Sequence, residues 1–178
     1  MAILPILFCM ALTSSGGDPA WNVLETLRRE LTAGGETTEA FVLDERPAGG
    51  AERQTVVEIG WQLPERIVLV DEEGVELGIS VAEPPTGPVA RGLYELLLRP
   101  LPALAEEYSV RLRPGRPGQL SLELSRERGA GPRSLRVRFR PGGGRLLELQ
   151  IVDSGGGEHR LWVEEDRAGF DRPGAALN

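Results

Sequence analysis

From residue 110 to residue 163 the chain repeats one pattern five times. Apolar and polar residues alternate over five or six positions, and then a glycine- or proline-rich turn follows. Val110 and Leu112 alternate with Arg111 and Arg113. Leu120, Leu122 and Leu124 alternate with Ser121, Glu123 and Ser125. Leu135, Val137 and Phe139 oppose Arg136, Arg138 and Arg140. Leu147, Leu149 and Ile151 oppose Glu148 and Gln150, and His159, Leu161 and Val163 oppose Arg160, Trp162 and Glu164. Successive strand side chains point to opposite faces, so this period predicts a sheet with one apolar and one wet face. The turns "PGRPG", "RERGAGPR", "PGGG" and "SGGG" are short enough to make it an antiparallel meander.

The first half carries the same pattern. Strands are predicted over 38–45, 55–63, 66–71 and 75–81, with Val57, Ile59, Trp61 and Leu63 sharing one face of the second. Two segments break the rhythm. Asp18-Pro19 supplies an N-cap and a first-turn proline, Trp21, Leu24, Leu27 and Leu31 recur at helical spacing, and Gly34-Gly35 ends the run, which predicts a helix over 19–33. In "EPPTGPVARGLYELLLRPLPALAEEY", Leu97, Leu101, Leu104 and Tyr108 form a helical stripe split by Pro100 and Pro102, which predicts short helices near 88–99 and 102–107. No β-α-β alternation occurs, which excludes a doubly wound parallel sheet.

The expected fold is therefore mainly β (α+β): a curled antiparallel half-barrel of about nine to eleven strands, with an N-terminal helix and an inserted helical lid. A sheet of this size curls as twist accumulates, and only the two helical segments can cover its apolar face.

Composition narrows function further. The 178 residues suit one domain. Net charge is −7, all 20 positive residues are arginine, and aromatics are sparse. Neither phosphate-backbone binding nor base stacking suits such a chain, so no nucleic-acid partner is expected. Cys9 is the single cysteine, which excludes an intramolecular disulfide. It lies in an apolar run, residues 2–12, that is too short to span a bilayer and is followed by small residues. Residues 1–16 are read as a signal peptide with cleavage after Thr13 or Gly16, which leaves 17–178 as one exported, periplasmic domain. Phe8 before Cys9 argues against lipidation.

Catalytic groups are scarce. His159 is the single histidine and sits on the apolar phase of its strand, where a hydrogen-bonded sheet residue is the expected role. No second histidine completes a zinc set or a triad, and no serine lies in a nucleophile elbow. The pairs Glu72-Glu73, Glu106-Glu107 and Glu164-Glu165-Asp166 read as solvated caps, and the arginine row 136, 138, 140 as a solvated sheet face. No enzyme activity, cofactor or metal is expected.

The layout resembles the periplasmic outer-membrane lipoprotein carriers of the LolA type. The likeness is carried by "LRVRFRPGGGRLLELQIVDSGGGEHRLWVEEDRAGFDRPGAAL", with Val152-Asp153 ahead of Gly155, Phe170, and Pro173-Gly174 at the family's places, and by "ALAEEYSVRL" at the lid-to-strand junction. In "QLPERI", Leu63 stands where the family commonly has a lid-latching arginine, and "DEEGVELGISV" lacks the family's aromatics. The resemblance implies a carrier that shelters acyl chains of lipoproteins or other lipids on the way to the outer membrane. It also implies an inner-membrane release complex and an outer-membrane acceptor as partners of a monomer. The implied hydrophobic cavity is lined by Val57, Ile59, Trp61, Leu122, Val137, Leu149 and Leu161 from the sheet. Leu97, Leu101 and Leu104 of the lid close it, and Trp21, Leu24 and Leu27 of the first helix roof it. A periplasmic protein-interaction domain of the same fold, its interior filled by its own side chains, is the alternative; an enzyme built on His159 is a third.

Overall fold

The computed structural model describes residues 18–164. The signal-peptide reading, Cys9, and the matches at Phe170 and Pro173-Gly174 lie outside these residues. Helix α1 spans Pro19–Ala33; the Asp18 carboxylate accepts from the Ala20 backbone N–H at 3.0 Å and caps its first turn. Four strands follow: β1 (Thr37–Arg46), β2 (Arg53–Gln62), β3 (Arg66–Val70) and β4 (Glu76–Ser80). The helical segment comprises α2 (Pro88–Leu93), a π-helical turn (Tyr94–Leu98) and α3 (Leu101–Glu107). Five more strands complete the described fold: β5 (Ser109–Arg113), β6 (Leu120–Ser125), β7 (Ser134–Arg140), β8 (Arg145–Val152) and β9 (Glu158–Trp162).

All nine strands join one open antiparallel sheet in the order β4-β3-β2-β1-β9-β8-β7-β6-β5. Each meander forms as its alternation and turns dictate. Their junction is long-range: β1 pairs with β9, Leu43 opposite Leu161. This seam puts both meanders' apolar phases on one face, and the helical segment runs from the β4 edge to the β5 edge across it. Leu24, Leu27 and Leu31 of α1, Leu93, Leu96, Leu97 and Leu104 of the helical segment, and the inward row of every strand form a single core cluster. A Cβ on Gly92 of α2 would stand 2.5 Å from the Ile151 side chain on β8, so this glycine is what lets the helix lie close to the sheet.

Two features depart from the sequence reading. A β-bulge between Arg138 and Phe139 pairs Phe139 with Leu146 rather than Leu147. The extra residue shifts the strand's phase, so Leu146 and Leu147 are both buried where simple alternation allows one. The expected helix 88–99 is instead α-helical only to Leu93 and widens to a π-turn, closed by the Arg99 N–H on the Tyr94 carbonyl at 2.9 Å. Three successive leucines, 96 to 98, are thereby all buried.

Candidate functional site

The thirteen residues assigned to the cavity come together on the inner side of the sheet and beneath the helices. Eleven are buried in the core cluster, and Trp21 and Leu101 are half-buried against it. Leu24, Leu27, Ile59, Leu104, Leu122, Val137, Leu149 and Leu161 each have 0% exposure. A void wide enough for an acyl chain would leave its lining accessible to a water-sized sphere, so beside these eight the layer is filled by the protein's own side chains. Trp61 packs edge-on to Phe41 and donates its indole N–H to Glu39 at 3.0 Å.

The apolar layer opens at the β4 end. A cleft of about 370 Å³ lies between β1–β4 and the start of α2, lined on its apolar side by Leu43, Val57, Leu69, Leu77, Val89 and Ala90. Leu77 is 45% exposed, and Val75 and Val81, in the same phase at either end of β4, are 60% and 45% exposed. The helices thus leave part of the apolar sheet face uncovered. Ligand pockets range over roughly 300–1,000 Å³, so the cleft is at the small end of that range. Of the thirteen assigned residues, Val57 alone lines it.

The opposite face has larger hollows of about 760 and 870 Å³, walled by charged strand residues such as Asp44, Glu148, Arg160 and Arg136. The saddle of a twisted sheet produces such hollows. The Glu148 carboxylate there accepts from Arg138 at 2.7 Å, Arg160 at 2.6 Å and Gln150 at 2.7 Å. The arginine row is therefore cross-linked to neighbouring strands: Arg138 bonds Glu148 and Gln119, and Arg136 lies 3.8 Å from Glu123.

Sequence reasoning missed the polar core of the lid. Glu95 of the π-turn has 0% exposure. Its carboxylate takes Arg91 at 2.8 Å on one oxygen and Arg99 at 2.8 Å on the other. Arg99 also bonds Glu107, which reaches Arg126 at 2.8 Å; Arg126 stacks over the Tyr108 ring at 5.0 Å. Tyr108 donates its hydroxyl to the Pro132 carbonyl at 2.9 Å, and burial pushes that hydroxyl's pKa up. Glu107 is thus a structural ligand of two arginines, not the solvated cap its sequence context suggests. The available signal was the spacing: Glu95 alone among apolar residues, with arginines four positions to either side.

A second arginine ties α1 to the lid. Arg28 donates to the carbonyls of Leu96 at 2.8 Å, Arg99 at 2.6 Å and Glu95 at 3.1 Å. The cause is Pro100. Residue 100 would supply the N–H for the Leu96 carbonyl in an α-helix, or for the Glu95 carbonyl in a π-helix, and proline has none. Burial pushes the Arg28 guanidinium down to about 10, and the nearby Glu95 carboxylate opposes that shift; the side chain remains charged at neutral pH. The arginine that bonds α1 to the helical segment is thus Arg28, far in sequence from Leu63. Arg66 instead bonds Gln62.

His159 is buried, with Nε2 3.1 Å from Asp153 Oδ2 and Nδ1 3.4 Å from Glu45. Burial would raise the Asp153 carboxyl, but His159 and the N–H groups of Gly157 and Gly155 outweigh it and hold it below its ordinary range. For Glu148, burial is likewise outweighed by Gln150, Arg160 and Arg138. Arg99 lowers Glu107, and Arg113 lowers Glu123. Each folded-state value lies below its unfolded value, so the stabilisation is complete above about pH 5 and is lost as pH falls through the depressed values. Urea unfolding should therefore show a lower midpoint at pH 3 than at pH 6; equal midpoints would contradict these assignments.

Among the described residues no group of histidine, cysteine and acidic side chains is placed to hold a metal ion, and no helix is long and apolar enough to cross a membrane. No family model matches the chain. No curated protein sequence matches it. Among solved structures, the chain is similar to the crystal structure of a LolA superfamily protein from Nitrosomonas europaea, at 14% identity, over 80% of this chain and 90% of that one, with a TM-score of 0.38.

Proposed function

We propose that this protein is a periplasmic carrier that shelters acyl chains of lipoproteins or other lipids on their way to the outer membrane, and that the β4–α2 cleft is where a chain enters. One observation carries this reading: Leu77 of β4, 45% exposed, stands in the lining of the cleft with Leu43, Val57, Leu69, Val89 and Ala90, and Val75 and Val81 at the two ends of the same strand are exposed as well. Exposed apolar side chains beside an apolar cleft support a binding role for it. A chain entering the cleft would displace the helical segment from the sheet, and each sheltered methylene contributes about 0.8 kcal/mol toward that displacement. The N-terminal apolar run would serve export, and the carrier would act as a monomer, without enzymatic chemistry, between a release complex and an acceptor.

A second reading is favoured by the eight inner residues at 0% exposure. There the filled core is permanent, and the cleft takes the side chains of a partner protein. Titration with a neutral fluorescent acyl probe, paired with native mass spectrometry of the purified protein, separates the two. The carrier reading expects saturable binding and co-purified lipid. It expects Leu77→Glu to weaken probe binding at least about tenfold with little effect on the unfolding midpoint, since Leu77 is half exposed. Absence of both probe binding and bound lipid would favour the interaction domain.

A further inference from the structure

The rim of the β4–α2 cleft is acidic. Its charged residues are Glu45, Asp71, Glu72, Glu73 and Arg53. Arg53 is neutralised within the cleft by Glu45 at 2.9 Å. Asp71 folds the β3–β4 turn, accepting the backbone N–H groups of Glu73 and Val75 at 2.9 Å each. Glu72 and Glu73, at the tip of that turn, are exposed and make no ion pair among the described residues. Glu76, on the opposite phase of β4 from Leu77, and Glu83 just beyond the strand are exposed and negative as well. The net charge of the whole chain, −7, has the same sign as this rim.

We propose that the cleft selects amphiphiles in which the acyl chain is followed by a positively charged peptide segment, and discriminates against those carrying negative charge beside the chain. This rests on the carrier reading. The apolar lining of the cleft supplies affinity for the chain; the free carboxylates of Glu72 and Glu73, with Asp71 behind them, stand on the same rim and meet whatever follows it at the water boundary. A cationic segment relieves their mutual repulsion, and an anionic one adds to it. The same field disfavours docking of this mouth on an anionic bilayer, so the acidic rim suits hand-over of an acylated peptide rather than a membrane-seated state.

The test uses three fluorescent palmitoylated peptides of equal length, with arginine-rich, serine-rich or glutamate-rich segments, and the arginine-rich peptide without its acyl chain. Affinities for the intact protein are measured at 20 mM and 500 mM salt. The expected result is about tenfold tighter binding of the basic than of the acidic acylated peptide at low salt, collapsing toward equality at high salt. The double variant Glu72→Gln/Glu73→Gln should lower that ratio toward one; a circular-dichroism melt checks that it is folded. Equal binding of all three acylated peptides, or a ratio unchanged in the double variant, overturns the charge selection and leaves the carrier reading standing. Failure of every acylated peptide to bind overturns both. Equal binding of the basic peptide with and without its acyl chain also overturns both and identifies a peptide-binding surface.

Discussion

Glu95→Ala is expected to destabilise the protein by about 3–5 kcal/mol, because it leaves two arginines without the buried carboxylate that holds them. Both Glu95 oxygens are engaged, by Arg91 and Arg99, and the side chain has no exposure. Arg99 keeps Glu107, but Arg91 keeps only its stacking over Tyr94 at 5.4 Å. For a domain of ordinary stability such a loss is a large fraction of the total. Urea unfolding measures it. Glu95→Gln retains the shape and two acceptor lone pairs, so it should lose less than the alanine variant. A loss below about 1 kcal/mol for Glu95→Ala would mean the network behaves like a surface ion pair.

The second large effect is expected at Arg28. Arg28→Ala strips the donors from three carbonyls at the end of the π-turn, where Pro100 has already removed one backbone N–H. Unsatisfied buried acceptors cost about 1–3 kcal/mol each, and partial hydration of the frayed turn reduces the sum to about 3 kcal/mol. Loss should concentrate in the lid. Hydrogen exchange is expected to accelerate over 88–107 well beyond the rise in β7 and β8. Arg28→Lys should recover only part, because one ammonium does not reproduce a fork that spans three carbonyls. A uniform rise in exchange across sheet and lid would show that Arg28 supports the whole fold rather than latching the helical segment. In the carrier reading the alanine variant also takes up an acyl probe faster, since lid displacement no longer breaks these hydrogen bonds.

Both sites show where sequence reasoning reaches its limit. Glu95 meets its arginines four positions away, a spacing the sequence does display, but Arg28 reaches carbonyls 67 to 71 residues away. The period of α1 puts Arg28 on the face of Leu24 and Leu31 and leaves Arg29 off it, reaching only Thr26 on its own helix, but it does not say which carbonyls Arg28 meets. The cleft was likewise hidden. Val57, Leu69 and Leu77 sit on the expected apolar phases, but the pattern of a strand does not say which of its apolar residues the helices leave bare.

What the sequence by itself determined is local. Alternation placed all nine described strands and most of their inward residues, Leu146 at the bulge excepted, because a strand's two faces are decided by its own side chains. The cap and the leucine stripe of α1 matched Pro19–Ala33, because capping and helical spacing act within a few residues. Tertiary structure alone decided the seam between β1 and β9, the bulge that brings Leu146 inward, the widening of the lid helix at Tyr94–Leu98, and the carbonyls that Arg28 meets. Each of these depends on which distant surface an element meets. A β1 strand with an apolar phase can pair on its free edge with any strand of matching phase, and only closure of the whole core selects β9. The helical segment gives up regular α geometry for the same reason: burying three consecutive leucines against a curved sheet, with the carbonyls at the Pro100 break satisfied by Arg28, outweighs the propensity of any one turn.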